Sequence, residues 1–397
     1  MYDGSDADRP LIGQDSVSDS TLSSASLHFV RVTHKTCWTF VRLYTGDGRL
    51  GEGEATLTGR EDALVAAAER LVPLALSQVA PQYPGAFAER NPPASIQESG
   101  IVSAIDQALW SLNAQANGHS LAQTLGVRRD RVPVYANINR RTEDRSPEGF
   151  ATSARAAVGA GHVAFKVAPF DEVDPQVCAR GDGVRAMQDG LARIAAVREA
   201  VDSQARLMVD CHWRFNEATA VALNEAAARL GVHWIETPLP ESESNIPALV
   251  RLRRQCNALG MRQAGLETSV GWETMRPYCE AGAYDVVMPD VKYIGGIHEM
   301  ARTVAGCASL GVQVSPHNPS GPICHAASLQ VSAAIGAFDI LELQFDESPL
   351  FDSLVDTPFG EIKDGHARLP SGSGLGVALV DTVLASHADW SPREWRC

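Results

Sequence analysis

Six short apolar runs in the second half of the chain end in groups that can hold a metal or move a proton. They are LMVDCH with Asp210 and His212, HWIET with Glu236, QAGLET with Glu267, DVVMPD with Asp290, VQVSPH with His317, and DILELQ with Glu342. Asp210, Glu236 and Glu267 close successive runs and converge on one point if those runs are neighbouring strands. Hard carboxylate oxygens with no cysteine among them favour Mg2+ over zinc, with water and substrate completing an octahedron. A single acid at a strand end more often caps a helix or pairs with Lys or Arg. Three in successive register make that bland reading the weaker one.

His317 lies among prolines in SPHNPSGP, where a lone histidine is ordinarily a loop residue. Asp290 ends the preceding run, however, and a carboxylate that orients an imidazole raises its basicity, which makes a general base. Lys166 is flanked by Phe165, Val167 and Ala168. An ammonium in such company is costly to bury without an anionic partner. His212 follows Asp210 by two residues, so on an extended strand both side chains point the same way, and Arg214 repeats that parity. His28, His34, His162, His233 and His325 have no comparable context and read as structural.

The chemical groups recur at intervals of 23 to 31 residues. One strand, one crossover helix and two loops occupy that length. A series of such units, each ending in polar chemistry, predicts an α/β chain built as a (β/α)8 (TIM-like) barrel, with its catalytic groups at the C-terminal strand ends. VPVYANI and HVAFKVA supply two earlier strands, joined by a helix that starts at the SPEGF signal, Ser146 to Phe150. The count is then eight, the number that closes such a barrel. The barrel is placed at residues 133–347.

Residues 1–25 are rich in Asp, Ser and Gly and read as a mobile tail. Residues 26–132 read as an α+β capping domain. SLHFVRVTH and WTFVRLYTGDGRLGEGEA alternate around a Gly-Asp-Gly turn, and two helical stretches come next, EDALVAAAERLVPLALSQV and SIQESGIVSAIDQALWSLNAQANG, the second stopped at Asn117 and Gly118. Residues 348–397 are polar and rich in Gly and Pro, and are expected to pack back on the capping domain.

Composition narrows the function classes. A chain of 397 residues that is 45% hydrophobic can bury a barrel and a smaller domain. No apolar run reaches membrane-spanning length and no signal-peptide pattern opens the chain, so a cytoplasmic protein with no membrane partner is expected. The eight cysteines show no CxxC, which argues against a thiol metal site or a disulfide framework. A net charge of -14 argues against nucleic acid, yet a divalent cation can reverse the local field for an anionic substrate.

These residues resemble the enolase superfamily, mandelate racemase branch, over essentially the whole chain after the tail. The resemblance lies in TFVRLYTGDGRLGEGEA and SAIDQALWSLNAQANG, the Lys166 strand, the ligands Asp210, Glu236 and Glu267, and DVVMPDVKYIGGI with SPHNPSGP. It implies Mg2+, abstraction of the proton α to a carboxylate, and Glu342 as the acid hydrogen-bonding the carboxylate oxygen where charge grows. Many relatives carry Lys-x-Lys on the second strand, whereas this one reads Lys166-Val167-Ala168, which disfavours two-base racemisation. The sequence looks closest to acid-sugar dehydratases of galactonate type, which share the histidine two residues past the first ligand and the GEATLTGRE-like stretch. That likeness implies His317 as base, His212 as the acid that protonates a departing β-hydroxyl, and Lys166 as the partner of the substrate carboxylate.

The alternatives are an epimerase, racemase or cycloisomerase using Lys166 against His317, and a catalytically silent binding protein on the same scaffold. A lysine base at the sixth strand is disfavoured because Asp290 occupies that place and Lys292 lies two residues beyond it. Specificity is expected from the capping domain around His34 to Trp38 and from Asn137, Asn139 and Arg214. The substrate is expected to be a small carboxylate, and the protein a homo-oligomer.

Overall fold

A computed structural model describes residues 21–78 and 84–396 of the chain. Most of the span 1–25 therefore lies outside the described residues. Leu22 to Ala25, assigned to the tail, are instead the start of a strand: β1 (Leu22–Arg31) buries Leu22, Ala25, Leu27 and Phe29 against the capping helices. It pairs antiparallel with β2 (Cys37–Thr45), which pairs with β3 (Leu50–Glu54) across the Gly-Asp-Gly turn. Gly48 takes φ 87° there, a conformation that favours glycine. Helix Glu61–Gln78 and helix Ile96–Ala116 cover one face of this sheet. Ser95 caps the second helix by accepting the Glu98 N–H, and Gly118 at φ 65° lies just past its end.

Among the described residues, eight parallel strands form the second sheet: β4 (Arg131–Asn137), β5 (Ala164–Val167), β6 (Arg206–Asp210), β7 (Trp234–Glu236), β8 (Arg262–Gly265), β9 (Val286–Val287), β10 (Gln313–Val314) and β11 (Leu341–Gln344). Each pairs with the next from β4 to β10, and β11 returns to pair with β4. The Val314 N–H donates to the Ala337 carbonyl at 2.8 Å, and the Asp339 N–H to the Val314 carbonyl at 2.9 Å, which joins β10 to the approach of β11. The ring is thus closed, as the eightfold reading requires. Helices lie outside it. The helix after β4, Pro147–Gly159, is capped by Ser146, whose hydroxyl accepts the Gly149 N–H.

The barrel floor is filled by Tyr135, Met208, Trp234, Val286, Met288 and Ile340. The chain's last part closes the architecture. β12 (His366–Arg368) pairs with β4, and β13 (Arg393–Arg396) adds to the edge of the capping sheet at β1. The seven described cysteines are buried and unpaired. No described helix is long and apolar enough to cross a membrane.

Candidate active site

Register determines which side chains meet. Asp210 and Glu236 are paired residues at the ends of β6 and β7, and Lys166 on β5 pairs with Met208, two residues below Asp210. Glu267 comes after β8 and Leu266, which has φ 73°. His212, Trp213 and Thr237 also adopt left-handed backbone, at φ 47°, 58° and 43°. Such conformations cost non-glycine residues of order 1–3 kcal/mol each and gather where the surroundings force them. Here they sit at the three strand ends that carry the acids.

One ligand oxygen from each of Asp210, Glu236 and Glu267 lies within 4.8 Å of the other two. All three residues are buried. Thr237 donates to Asp210 at 3.0 Å, Trp234 Nε1 to Glu236 at 3.1 Å, and Glu267 Oε2 has no hydrogen-bond partner among the described residues. Burial pushes Glu236 up to about 7, with Lys166 opposing and Asp210 adding to the rise. Burial, then Asp210 and Glu236, raise Glu267 well above the usual carboxylate range. Crowded, dehydrated carboxylates with an orphaned oxygen fit a hard cation: the donor set is all oxygen, and a divalent charge relieves the repulsion.

Lys166 Nζ lies 2.6 Å from Glu236 Oε1 and 3.0 Å from Glu342 Oε1, beside the Tyr135 ring at 5.4 Å. Burial disfavours its charge, but Glu236 and Glu342 outweigh that and raise it well above the ordinary lysine value. Glu342 also accepts Asn137 Nδ2 at 2.6 Å and the Asn318 N–H at 3.0 Å. Burial opposes its ionisation, yet Lys166 and then His317 hold it at about 2.

His317 Nδ1 lies 2.7 Å from Asp290 Oδ2. Its Nε2 faces the acids, 3.9 Å from Glu267 and 4.0 Å from Glu342. Burial lowers its pKa, with Glu342 and Asp290 opposing. Asp290 is itself ion-paired with Lys292, which reaches Ser320 Oγ at 2.8 Å.

His212 does not continue the alternation of the strand that carries Asp210. β6 ends at Asp210, and the left-handed turn at His212 breaks the alternation. The imidazole nonetheless folds back on its neighbour, with Nε2 2.7 Å from Asp210 Oδ2. Asp210 raises its pKa more than burial lowers it. Arg214 lies beyond the turn, where one guanidinium nitrogen donates to the carbonyls of Phe170, Asp171 and Val173. Asn139 Oδ1 is engaged by Arg145 at 2.8 Å. Trp38 is 1% exposed and packs edge-on to Phe351 at 6.2 Å. It borders a separate cavity of about 630 Å³ with His325 and Phe359, which none of the three clustered acids lines. Of the four expected substrate contacts, only Asn137 meets the central cluster, through Glu342.

Sequence reasoning missed several supports. Glu241 accepts Trp213 Nε1 at 3.0 Å, the Leu266 N–H at 2.6 Å and the Tyr284 hydroxyl at 2.8 Å, linking the loops after β6, β7 and β8. Asn318, whose N–H donates to Glu342, and Ser320, which accepts from Lys292, are two more. Lys292 carried the one usable signal, its place two residues past Asp290.

Comparison with known proteins agrees with this geometry. Residues 18–126 match the family described as mandelate racemase / muconate lactonizing enzyme, N-terminal domain, and residues 149–383 match enolase C-terminal domain-like. The chain is 30% identical over 354 residues to a D-gluconate dehydratase of Thermoproteus tenax, covering 87% of this chain and 69% of that protein. It is 28% identical over 381 residues to a D-galactonate dehydratase of Variovorax paradoxus, covering 93% and 95%. An enolase protein from Sargasso Sea environmental sequencing has a solved structure that superposes with a TM-score of 0.81 at 27% identity, covering 95% of this chain and 99% of that one. The matched domains and the carboxylate trio at successive strand ends lead to one assignment: the chain belongs to the mandelate racemase branch of the enolase superfamily.

Proposed function

We propose that the protein is an Mg2+-dependent hydro-lyase that removes water from a sugar acid, an aldonate or aldarate. The observation that carries this reading is that two imidazoles flank the carboxylate trio, each with one nitrogen fixed, His317 by Asp290 and His212 by Asp210. The dehydratase names of the relatives support the reaction class. Asp210, Glu236 and Glu267 would hold the ion, which when bound supplies a fixed positive charge beside the substrate carboxylate.

The chain's own residues do the rest. Lys166 offers a second cation to that carboxylate from below. His317 Nε2, the nitrogen left open by the Asp290 bond, takes the proton α to the carboxylate. Negative charge then grows on the carboxylate oxygens. Glu342 donates a hydrogen bond there only if protonated, and a substrate carboxylate entering beside it favours that proton, because a like charge raises a carboxyl's pKa. The electron pair of the broken C–H bond forms the carbon–carbon double bond as the β C–O bond breaks. His212 protonates the departing hydroxyl, so water leaves. Lys166 is tied to two carboxylates and Ala168 stands where a second lysine would be, so no opposite-face base is at hand for racemisation.

The test is the pair of variants His317→Asn and His212→Asn, assayed with Mg2+ across aldonic and aldaric acids. The first should stop both α-proton exchange and water loss. The second should stop water loss while sparing exchange. Full dehydration by His212→Asn would remove it as the acid and make Lys166 the next candidate.

A further inference from the structure

The residues that bring Asp290 and His317 together extend into the capping domain. On helix Ile96–Ala116, Ser99, Ser103 and Asp106 recur at steps of four and three and so share one face. All three grip the segment just past Asp290. Ser99 Oγ donates to the Tyr293 carbonyl at 2.5 Å, Ser103 Oγ accepts the Gly295 N–H at 3.1 Å, and Asp106 Oδ2 accepts the His298 N–H at 3.1 Å. The contact is close enough to require glycine, since a Cβ on Gly296 would lie 2.4 Å from Asp106 Oδ2.

The next residue on the helix leads to the other half of the dyad. Gln107 exchanges two hydrogen bonds of 3.1 Å with the backbone of Glu54. The Glu54 carboxylate accepts the Gly321 N–H at 2.7 Å and the Cys324 N–H at 2.9 Å, at the start of helix Pro322–Ala334 and just beyond His317. Thr56 gives it a third donor at 2.7 Å. Glu54, Ser99, Ser103, Asp106 and Gln107 are all fully buried.

We propose that Glu54 and Asp106 are positioning residues: through one capping helix they hold the two strand-end segments at the separation that lets Asp290 and His317 bond. Neither reaches substrate. A plain domain seam would need hydrogen bonds somewhere along its length. Here they fall on residues 293–298 and 321–324, the continuations of the two segments that carry the dyad. The consequence for catalysis rests on the reading of His317 as base, but the geometry does not, and the test needs no turnover.

In full-length protein labelled with 15N-histidine, the His317 Nδ1–H should give a downfield proton resonance, assigned by its loss in Asp290→Asn. Glu54→Gln and Asp106→Ala should lose this resonance to solvent exchange. Ser103→Ala, a gentler change, should speed its exchange by up to roughly tenfold, the upper end of what one ordinary hydrogen bond contributes to an equilibrium. If the first two variants do not fold, Ser103→Ala decides alone. Leu64→Ala, which packs in the capping core and makes none of these bonds, should lower the thermal midpoint and leave the resonance in place. An unchanged resonance and exchange rate in the folded positioning variants would overturn the proposal, as would equal loss in Leu64→Ala. Absence of dehydratase activity would leave these outcomes unaltered.

Discussion

His317 and Asp290 come from different strands, 27 residues apart in the chain, and meet through a 2.7 Å contact between Nδ1 and Oδ2. That contact leaves Nε2 as the ring nitrogen open toward the carboxylate trio. Replacing Asp290 with Asn keeps the shape but offers the ring a side chain that no longer compensates imidazolium charge. Turnover should fall by roughly 10²–10⁴ with little change in KM, the range associated with losing general base catalysis and its orienting carboxylate. Steady-state kinetics of Asp290→Asn on the active substrate checks this, and a change confined to KM would speak against it.

Lys166 is the ammonium between Glu236 and Glu342, and it is almost wholly buried. Lys166→Met should leave Glu236 and Glu342 without the ammonium they share and cost about 3–5 kcal/mol. Urea unfolding measures the loss. Mg2+ should restore part of it in the variant, because the ion recharges Glu236.

His162 supplies a pH dependence remote from the acids. It is buried, packs edge-on to Phe345, and its Nδ1 has no partner among the described residues. Burial lowers its pKa to about 4. Between the unfolded value of about 6.5 and that figure, only the unfolded chain binds the proton. Its share of stability is therefore present above the upper value and is lost as pH falls through the window, at up to about 1.4 kcal/mol per pH unit. His162→Phe should flatten that part of the stability–pH curve relative to the unaltered protein. Parallel curves from chemical denaturation would contradict the assignment.

Strand ends were more legible in the sequence than the loops beyond them. Asp210, Glu236 and Glu267 were readable because a strand is a short apolar run and the polar residue that stops it is conspicuous. Their convergence was then a consequence of eight regular units. His212, Arg214 and Trp38 were harder. The parity rule presumes an extended chain, and four left-handed residues end that regularity where the acids sit. Arg214 was drawn to loop carbonyls, and Trp38 was absorbed by packing on Phe351. Glu241 gave no local signal, and Asn318 and Glu54, although inside the SPHNPSGP and GEATLTGRE stretches, did not show their roles, since these depend on partners elsewhere in the chain. Glu54 and Gly321, for example, are 267 residues apart.

The three clustered acids make metal binding measurable without a substrate. Mg2+ at a hundredfold excess over its dissociation constant should stabilise the protein by about 2.7 kcal/mol. Glu267→Gln should abolish most of that gain. A variant that kept the full Mg2+ shift in thermal unfolding would show that the ion binds elsewhere.

The proposed reaction removes an α-proton and loses water from one acid sugar at this site. The direct measurement is incubation of the Mg2+-loaded protein with aldonic and aldaric acids in D2O, with mass spectrometry and proton NMR of the products. A substrate should yield a product lighter by one water, with deuterium at the carbon that lost its hydroxyl, since the enol formed by elimination takes its proton there from solvent. Deuterium at the α carbon of a product with unchanged formula would contradict dehydration and identify an isomerase instead.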